Sequence, residues 1–377
     1  MWDIPIEKSR AFVSAGKYFQ GPGEINRIYN VAKNYGSSAM ILIDPMFYAT
    51  YSKIFEKQFA ENGLTVTCLE FGGVCSDAEV ERIKGLMGDN VPDCVFGMGG
   101  GMTSDTTKIL GFHHYKCPTI IMPTAISSDA STSGHSVVRN PDGSTYVFYH
   151  PRNPDCIIVD TEITITAPLF MLSSGLGDAM ATYYEACASM KNRQKCFGSH
   201  GNYKSTLAGP VIAKLAHDTL MAYGRRAYED AKEHILSDAY ENIAEANTLL
   251  SGVGFENTHC SIAHGMEDSL FILPLDRRPI HGLGVGYGVL LQLLVEEQDP
   301  AEFEEIYRWC GDVGLPQCLG DLGFHDYENL KEWAEKLAAH AIETSRIIQN
   351  EPMVVTTEML MNAVLKLEDF TAHRRGK

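Results

Sequence analysis

The chain has 377 residues, 45% of them hydrophobic and 21% charged, a composition that excludes a disordered or fibrous protein and, at this length, favours two domains over one core. Its net charge is −17, so the average surface repels a phosphate backbone and nucleic acid is excluded as an expected partner. The basic groupings Arg277–Arg278 and His373, Arg374, Arg375 and Lys377 read as solvated faces. The ten cysteines contain no C-x-x-C pair, which removes zinc ribbons and thioredoxin-type motifs and leaves reduced thiols as the expectation. Met1-Trp2-Asp3-Ile4-Pro5 shows no basic stretch followed by an apolar core, and the apolar run 284–295 is too short to span a bilayer, so a cytoplasmic protein away from the membrane is expected.

In chain order, 38–44, 64–71 and 93–98 are short apolar runs that read as strands. Between them, 48–62 carries apolar residues at helical spacing, and 77–87 opens with the capping signature Ser76-x-x-Glu79. Two more strands are expected at 118–123 and 156–160, separated by a polar, Gly/Ser-rich stretch. This alternation predicts a mostly parallel sheet covered by helices. Beyond about residue 165 the pattern changes to helical segments, including 172–190, 203–222, 235–254, 258–272 and 283–297, with no strand runs. The division is therefore an α/β domain over 1–165 and an all-α domain over 166–377, with no repeat at a fixed period.

The segment Phe96-Gly97-Met98-Gly99-Gly100-Gly101-Met102-Thr103-Ser104-Asp105-Thr106-Thr107-Lys108 follows a strand and opens a helix. Glycines there let the backbone approach a pyrophosphate whose charge the helix N-terminus stabilises. A tight turn whose glycines only solve a packing problem explains the same residues, and the spacing is not the Rossmann G-x-G-x-x-G. Asp44, at the end of an early strand, could accept hydrogen bonds from ribose hydroxyls and disfavour a 2′-phosphate, which favours NAD over NADP. As a turn residue before Pro45 it has an equally ordinary explanation.

Gly99-Gly100-Gly101-x-x-x-Asp105-x-x-Lys108 resembles the signature of the iron-containing alcohol dehydrogenase superfamily. Pro123-Thr124-x-x-Ser127-Ser128-Asp129-Ala130, Asn153-Pro154-Asp155-x-x-Ile158-Val159-Asp160-Thr161, Gly177-Asp178-Ala179-x-Ala181-Thr182 and Glu245-Ala246-Asn247-Thr248-x-Leu250-Ser251-Gly252 resemble its glycerol dehydrogenase branch in order and spacing. The likeness runs from Gly16-Lys17-Tyr18 to Asn350-Glu351-Pro352. It implies an α/β nucleotide-binding domain followed by a helical domain, with catalysis in the cleft between them. It further implies an NAD-dependent dehydrogenase of a small polyol or related secondary alcohol, and a homo-oligomer.

The resemblance assigns cofactor contacts to Asp44, Gly100, Gly101, Asp105, Thr124, Ser127 and Ser133, and metal ligands to Asp178, His264 and His281. Taken alone, His264 would read as an ordinary core or capping histidine. A carboxylate and two imidazoles suit zinc, leave a coordination position open, and would let the ion act as a Lewis acid on an alcohol oxygen. The wider superfamily often adds a histidine four residues after the aspartate; Thr182 stands there, which favours zinc, with iron open to the same ligands. Asp129 matches the polyol-binding acid. No side chain presents itself as the general base, and a water or a ribose hydroxyl could carry the proton.

Departures from the branch surround this site. Met102 stands where lysine is typical, His135 for leucine and Arg139 for tyrosine, the last two on the segment expected to border the nicotinamide. Arg277-Arg278-Pro279-Ile280 replaces a His- and Tyr-rich approach to His281. Guanidinium groups there could recognise a carboxylate or phosphate. An acidic or phosphorylated alcohol is thus one alternative substrate class, and a non-redox enzyme similar to the dehydroquinate synthases is another, although Asp178 replaces the glutamate of those enzymes.

Overall fold

A computed structural model describes residues 9–142, 144–192, 195–199 and 203–376. Met1 to Pro5 and Lys377 lie outside them. The contacts divide the chain into two units. One comprises Val13–Ala167 with His234–Leu236, and the other Pro168–Glu233 and Ser237 onward together with the stretch ending at Phe12.

The described residues form ten strands: β1 (Arg10–Ala11), β2 (Tyr18–Gly21), β3 (Ser38–Ile43), β4 (Thr65–Glu70), β5 (Cys94–Gly99), β6 (Thr119–Pro123), β7 (His135–Arg139), β8 (Thr145–Tyr149), β9 (Cys156–Asp160) and β10 (Lys204–Ser205). Six form the sheet of the α/β unit in the order β2-β9-β6-β5-β3-β4, with every pairing parallel. β5, β6 and β9 are buried at every position, as expected of parallel strands covered on both faces, whereas edge strand β4 is mostly exposed or half-buried. Helices α1 (Ile28–Ala32), α2 (Pro45–Glu61), α3 (Asp77–Met87), α4 (Gly101–Ile109) and α5 (Thr161–Thr164) complete the unit. Ile28, Phe55 and Phe59 pack with Ile41, Ile43 and Phe96 in one core, while Val80, Ile83 and Met87 cover Met40, Leu42 and Val95 in another.

The chain leaves β3 for the edge strand β4 and returns to pair β5 on the other side of β3. In a parallel sheet such a reversal opens a crevice at the carboxyl ends of the two strands, where ligands bind.

The second unit is built on α6 (Leu169–Asn192), α7 (Ala208–Lys232), α8 (Asp238–Glu245), α9 (Ser251–Glu256), α10 (Ile262–Glu267), α11 (His281–Val295), α12 (Pro300–Asp312), α13 (Leu330–Thr344) and α14 (Thr357–Arg374). A π-helical segment, Ala246–Leu250, joins α8 to α9. α11 is almost wholly buried.

The structure departs from expectation in places. The polar stretch after β6 contains an antiparallel hairpin, β7–β8, with His135 opposite Tyr149 and Arg139 opposite Thr145. Its second strand is largely exposed, so no apolar face announces it. The helical unit is not strand-free, since β10 pairs in parallel with β1. α7 continues to Lys232 past Gly224, where a Cβ would stand 2.8 Å from the Trp309 ring; the glycine admits a packing neighbour and does not end the helix. The helix expected over 258–272 starts only at Ile262 and ends at Glu267, followed by a 3-10 turn at Leu270–Ile272.

Candidate metal and nucleotide sites

The carboxyl ends of β3, β5 and β6 meet at the crevice in the α/β unit. Asp44 N–H donates to Met98 O at 2.8 Å and Thr124 N–H to Gly99 O at 3.1 Å, which brings Asp44, the glycine segment and Thr124 together. Asp44 also caps α2, accepting from Met46 N–H at 3.1 Å, so its turn function is present whatever else it binds.

The glycines divide into two kinds. A Cβ at Gly97 or Gly99 would lie 2.2 or 2.4 Å from the Thr107 or Thr103 hydroxyl, so these two are required where α4 packs on β5. At Gly100, the N-cap of α4, a Cβ would meet nothing within 4 Å, and at Gly101 only the Ala130 methyl group at 3.6 Å. Packing does not demand glycine at these two positions, whereas close approach of a ligand to the backbone would.

Lys108, at the end of the same segment, is fully buried. Its Nζ donates to Ala130 O at 2.6 Å, His135 O at 2.8 Å, Ser133 Oγ at 3.1 Å and Asp105 Oδ1 at 3.2 Å. The other Asp105 oxygen accepts from Val137 N–H at 2.9 Å. Asp105 and Ser133 are thus engaged with the protein, and the lysine ties α4 to the 130–137 segment. Burial pushes the Asp105 carboxyl up, opposed by Lys108 and the Val137 amide.

Ser127 and Asp129 lie half-buried in the loop after β6, where the Asp129 carbonyl accepts from Thr132 N–H and Oγ1 at 3.1 and 2.9 Å. His135 and Arg139 occupy the two ends of β7. Arg139 is exposed and its N–H donates to Cys75 O at 2.9 Å. Behind the strand, His150 is buried, its Nε2 2.7 Å from Ser136 Oγ and its Nδ1 2.9 Å from His113 Nε2. His113, unassigned on sequence grounds, therefore ties the helical segment after α4 to the end of the hairpin.

In the helical unit, Asp178 of α6, His264 of α10 and His281 at the first position of α11 converge, with one ligand atom from each within 4.8 Å of the others. Asp178 Oδ1 lies 3.3 Å from His264 Nε2 and 3.5 Å from His281 Nε2. Two ligands about 2.0–2.1 Å from a tetrahedral ion stand roughly 3.3 Å apart, so the two spacings from Asp178 suit ligands of one metal ion.

Glycines beside the ligands permit this convergence. A Cβ at Gly177 would stand 2.2 Å from Gly282 O, and one at Gly282 would stand 1.9 Å from Ser174 O, so α6 and α11 touch backbone to backbone next to Asp178 and His281. Burial alone would raise the Asp178 carboxyl, but the two imidazoles hold it below the usual carboxylate range. Burial would likewise lower His264, yet the Cys260 sulfur, Glu185 and Asp178 keep it well above an ordinary histidine. Glu267 and Asp178 likewise raise His281, whose side chain is about half exposed.

Thr182, one turn after Asp178, has its hydroxyl 2.9 Å from Ser251 Oγ. Arg277 and Arg278 are exposed. Sequence reasoning missed the two buried glutamates behind the histidines: Glu185 Oε2 lies 2.6 Å from His264 Nδ1, and Glu267 Oε2 lies 3.0 Å from His281 Nδ1. The signal available for the first was an acid seven positions after Asp178, two turns along the same helical face.

Residues 15–161 match the family model described as iron-containing alcohol dehydrogenase. A glycerol dehydrogenase of Thermotoga maritima is 35% identical over 96% of this chain and 97% of its own length. The structure of glycerol dehydrogenase from Schizosaccharomyces pombe superposes with a TM-score of 0.91 at 30% identity, covering 98% of this chain and 93% of that one. A probable glycerol dehydrogenase from Sinorhizobium meliloti gives a TM-score of 0.88 at 34% identity, covering 97% and 99%.

Proposed function

The chain belongs to the iron-containing alcohol dehydrogenase family, in its glycerol dehydrogenase branch, and we infer from this that it is an NAD-linked, metal-dependent oxidoreductase acting on the CH–OH group of a small polyol. The observation that carries the reading is the convergence of Asp178, His264 and His281 on one point in a chain of this family. When bound, a divalent ion polarises an alcohol oxygen and NAD accepts hydride.

Asp178, His264 and His281 hold the ion through one oxygen and two nitrogens, a set that leaves a position for substrate. Zinc is the proposed ion in preference to iron, because Thr182 supplies no imidazole and its hydroxyl is engaged with Ser251. Asp44, Gly100, Gly101, Thr124 and Ser127 contact the cofactor at the crevice in the sheet. Asp105 and Ser133 act through Lys108, which fixes the loop beneath it. His135 and Arg139 border the nicotinamide, and Asp129 accepts a hydrogen bond from a substrate hydroxyl.

The domains proposed are an α/β nucleotide-binding part ending near residue 165 and a helical metal- and substrate-binding part after it. The ten free cysteines, nine of them buried, fit a cytoplasmic enzyme, and no described helix is long and apolar enough to cross a membrane. A homo-oligomer is the proposed assembly.

The test is spectrophotometric: reduction of NAD and NADP by the zinc-loaded protein with glycerol, a vicinal diol, glycerol phosphate and α-hydroxy acids. Rapid NAD reduction with glycerol or the diol is expected. Turnover confined to the phosphorylated or acidic alcohols would refute the polyol assignment and move specificity to His135, Arg139 and Arg277.

A further inference from the structure

We propose that Glu185 and Glu267 are positioning residues that aim the two histidines, each accepting the Nδ1 proton of one imidazole so that both Nε2 atoms are presented to a metal ion. The proposal rests on the metal-dependent reading above.

The geometry for His264 is specific. Asp178 and Glu185 lie two turns apart on one face of α6 and straddle a single ring, with Asp178 Oδ1 3.3 Å from Nε2 and Glu185 Oε2 2.6 Å from Nδ1. The ring cannot turn over without losing a charge-assisted bond on the buried side. Glu185 is itself anchored, because its Oε1 accepts Ser261 N–H at 2.7 Å and His264 N–H at 3.0 Å. Those amides belong to the start of α10, so one carboxylate sets both where that helix begins and how its histidine faces.

His281 repeats the arrangement from a different source. Glu267, the last residue of α10, places Oε2 3.0 Å from Nδ1 of His281, and Nε2 of that ring faces the same Asp178 oxygen. Two rings on two helices thus show one polarity, Nδ1 to a glutamate and Nε2 to the aspartate. A histidine whose outer nitrogen is held by a carboxylate is fixed in tautomer and orientation, and loss of such a partner typically costs 10–100-fold in metal affinity. Cys260 offers a competing account, since its sulfur, Glu185 and His264 also lie within 4.8 Å of one another and would make Glu185 a ligand of a second ion.

The experiment is zinc affinity by chelator competition, with metal stoichiometry, on the full chain and on Glu185→Ala, Glu267→Ala and Glu267→Gln. The unfolding midpoint of each metal-free protein and histidine nitrogen NMR of the zinc-loaded forms accompany it. The expected result is one zinc per chain, a roughly 10–100-fold loss in each alanine variant, partial rescue in Glu267→Gln, whose amide oxygen still accepts the proton, and an Nδ1–H tautomer at both rings of the unmodified protein. Glu267 is the cleaner site, because Glu185→Ala also uncaps α10 and can unsettle the fold.

A loss below tenfold in Glu267→Ala, or an Nε2–H ring in the zinc form, overturns the proposal. Two zinc per chain, with the second lost in Cys260→Ser, overturns the assignment of Glu185. Tight uptake by the unmodified chain with unchanged variants removes this proposal alone. Failure of the unmodified chain to take up zinc, cobalt or iron removes the metal-dependent reading and this one with it.

Discussion

Replacing Lys108 by methionine keeps most of the side-chain volume and removes the one cation that four groups of the α/β unit share. Nζ lies between 2.6 and 3.2 Å from Ala130 O, His135 O, Ser133 Oγ and Asp105 Oδ1, and the side chain is fully buried. Breaking a buried ion pair from one side typically costs about 3–5 kcal/mol, chiefly because the other charge is left unpaired. Asp105 can relieve part of that by taking a proton, since burial already pushes its carboxyl up. An acid whose folded pKa lies above its unfolded one stabilises the fold fully only below the unfolded value, and that contribution is lost as pH rises through the folded one. The variant should therefore be more destabilised at mildly alkaline than at mildly acidic pH. Urea unfolding of Lys108→Met, Asp105→Asn and the double variant, at both pH values, measures the terms. The double variant should recover more than half of the loss, and NAD affinity should fall in Lys108→Met because the 130–137 segment loses its tie to α4. A Lys108→Met midpoint shift worth less than about 1 kcal/mol, below the usual cost of breaking a buried pair, would refute the hub.

Other outcomes follow from the same geometry. Burial, with Lys108, His113 and His135 nearby, holds His150 down to about 2; a depressed histidine contributes stability that is complete above its unfolded value and is lost as pH falls, by at most about 1.4 kcal/mol per pH unit. Unfolding between neutral pH and about pH 5 should therefore be steeper in the unmodified protein than in His150→Gln, and equal slopes would contradict the reading. Gly282→Ala puts a methyl group 1.9 Å from Ser174 O; overpacking of this kind costs roughly 1–3 kcal/mol or more, and zinc retention should drop with it, read by chelator competition against the unmodified chain. His264→Ala should lose both metal retention and turnover, and full activity in a metal-free His264→Ala preparation would refute the metal-dependent chemistry.

The parts of the fold readable from sequence are those whose burial writes a simple pattern. β3, β5, β6 and β9 are sheathed on both sides, so they stand out as unbroken apolar runs, and Ser76 caps α3 by accepting from Glu79 N–H as its spacing suggests. The hairpin β7–β8 escapes the same reading because β8 is exposed at four of its five positions, while β7, although its burial alternates, turns Ser136 inward and Val137 outward, so apolar residues do not mark its buried face. Helix ends are misjudged where a distant residue decides them. The helix expected to end at 222 runs on past Gly224, which seats Trp309, while the start of α10 is set by a carboxylate from α6.

Site residues follow the same logic with higher stakes. Asp178 and His264 are 86 positions apart, so no local spacing joins them, and only the resemblance named the pair. That resemblance also carried Asp105 into the cofactor contacts; the structure adds that its two oxygens accept from Lys108 and from the Val137 amide. Glu185 and Glu267 are the converse case. Neither belongs to the motifs that pointed to the ligands, yet each sits against an imidazole of the triad. Motifs name the atoms that would touch a ligand; what aims those atoms is set by which helix faces meet in space, and that information enters only with the packing of α6, α10 and α11.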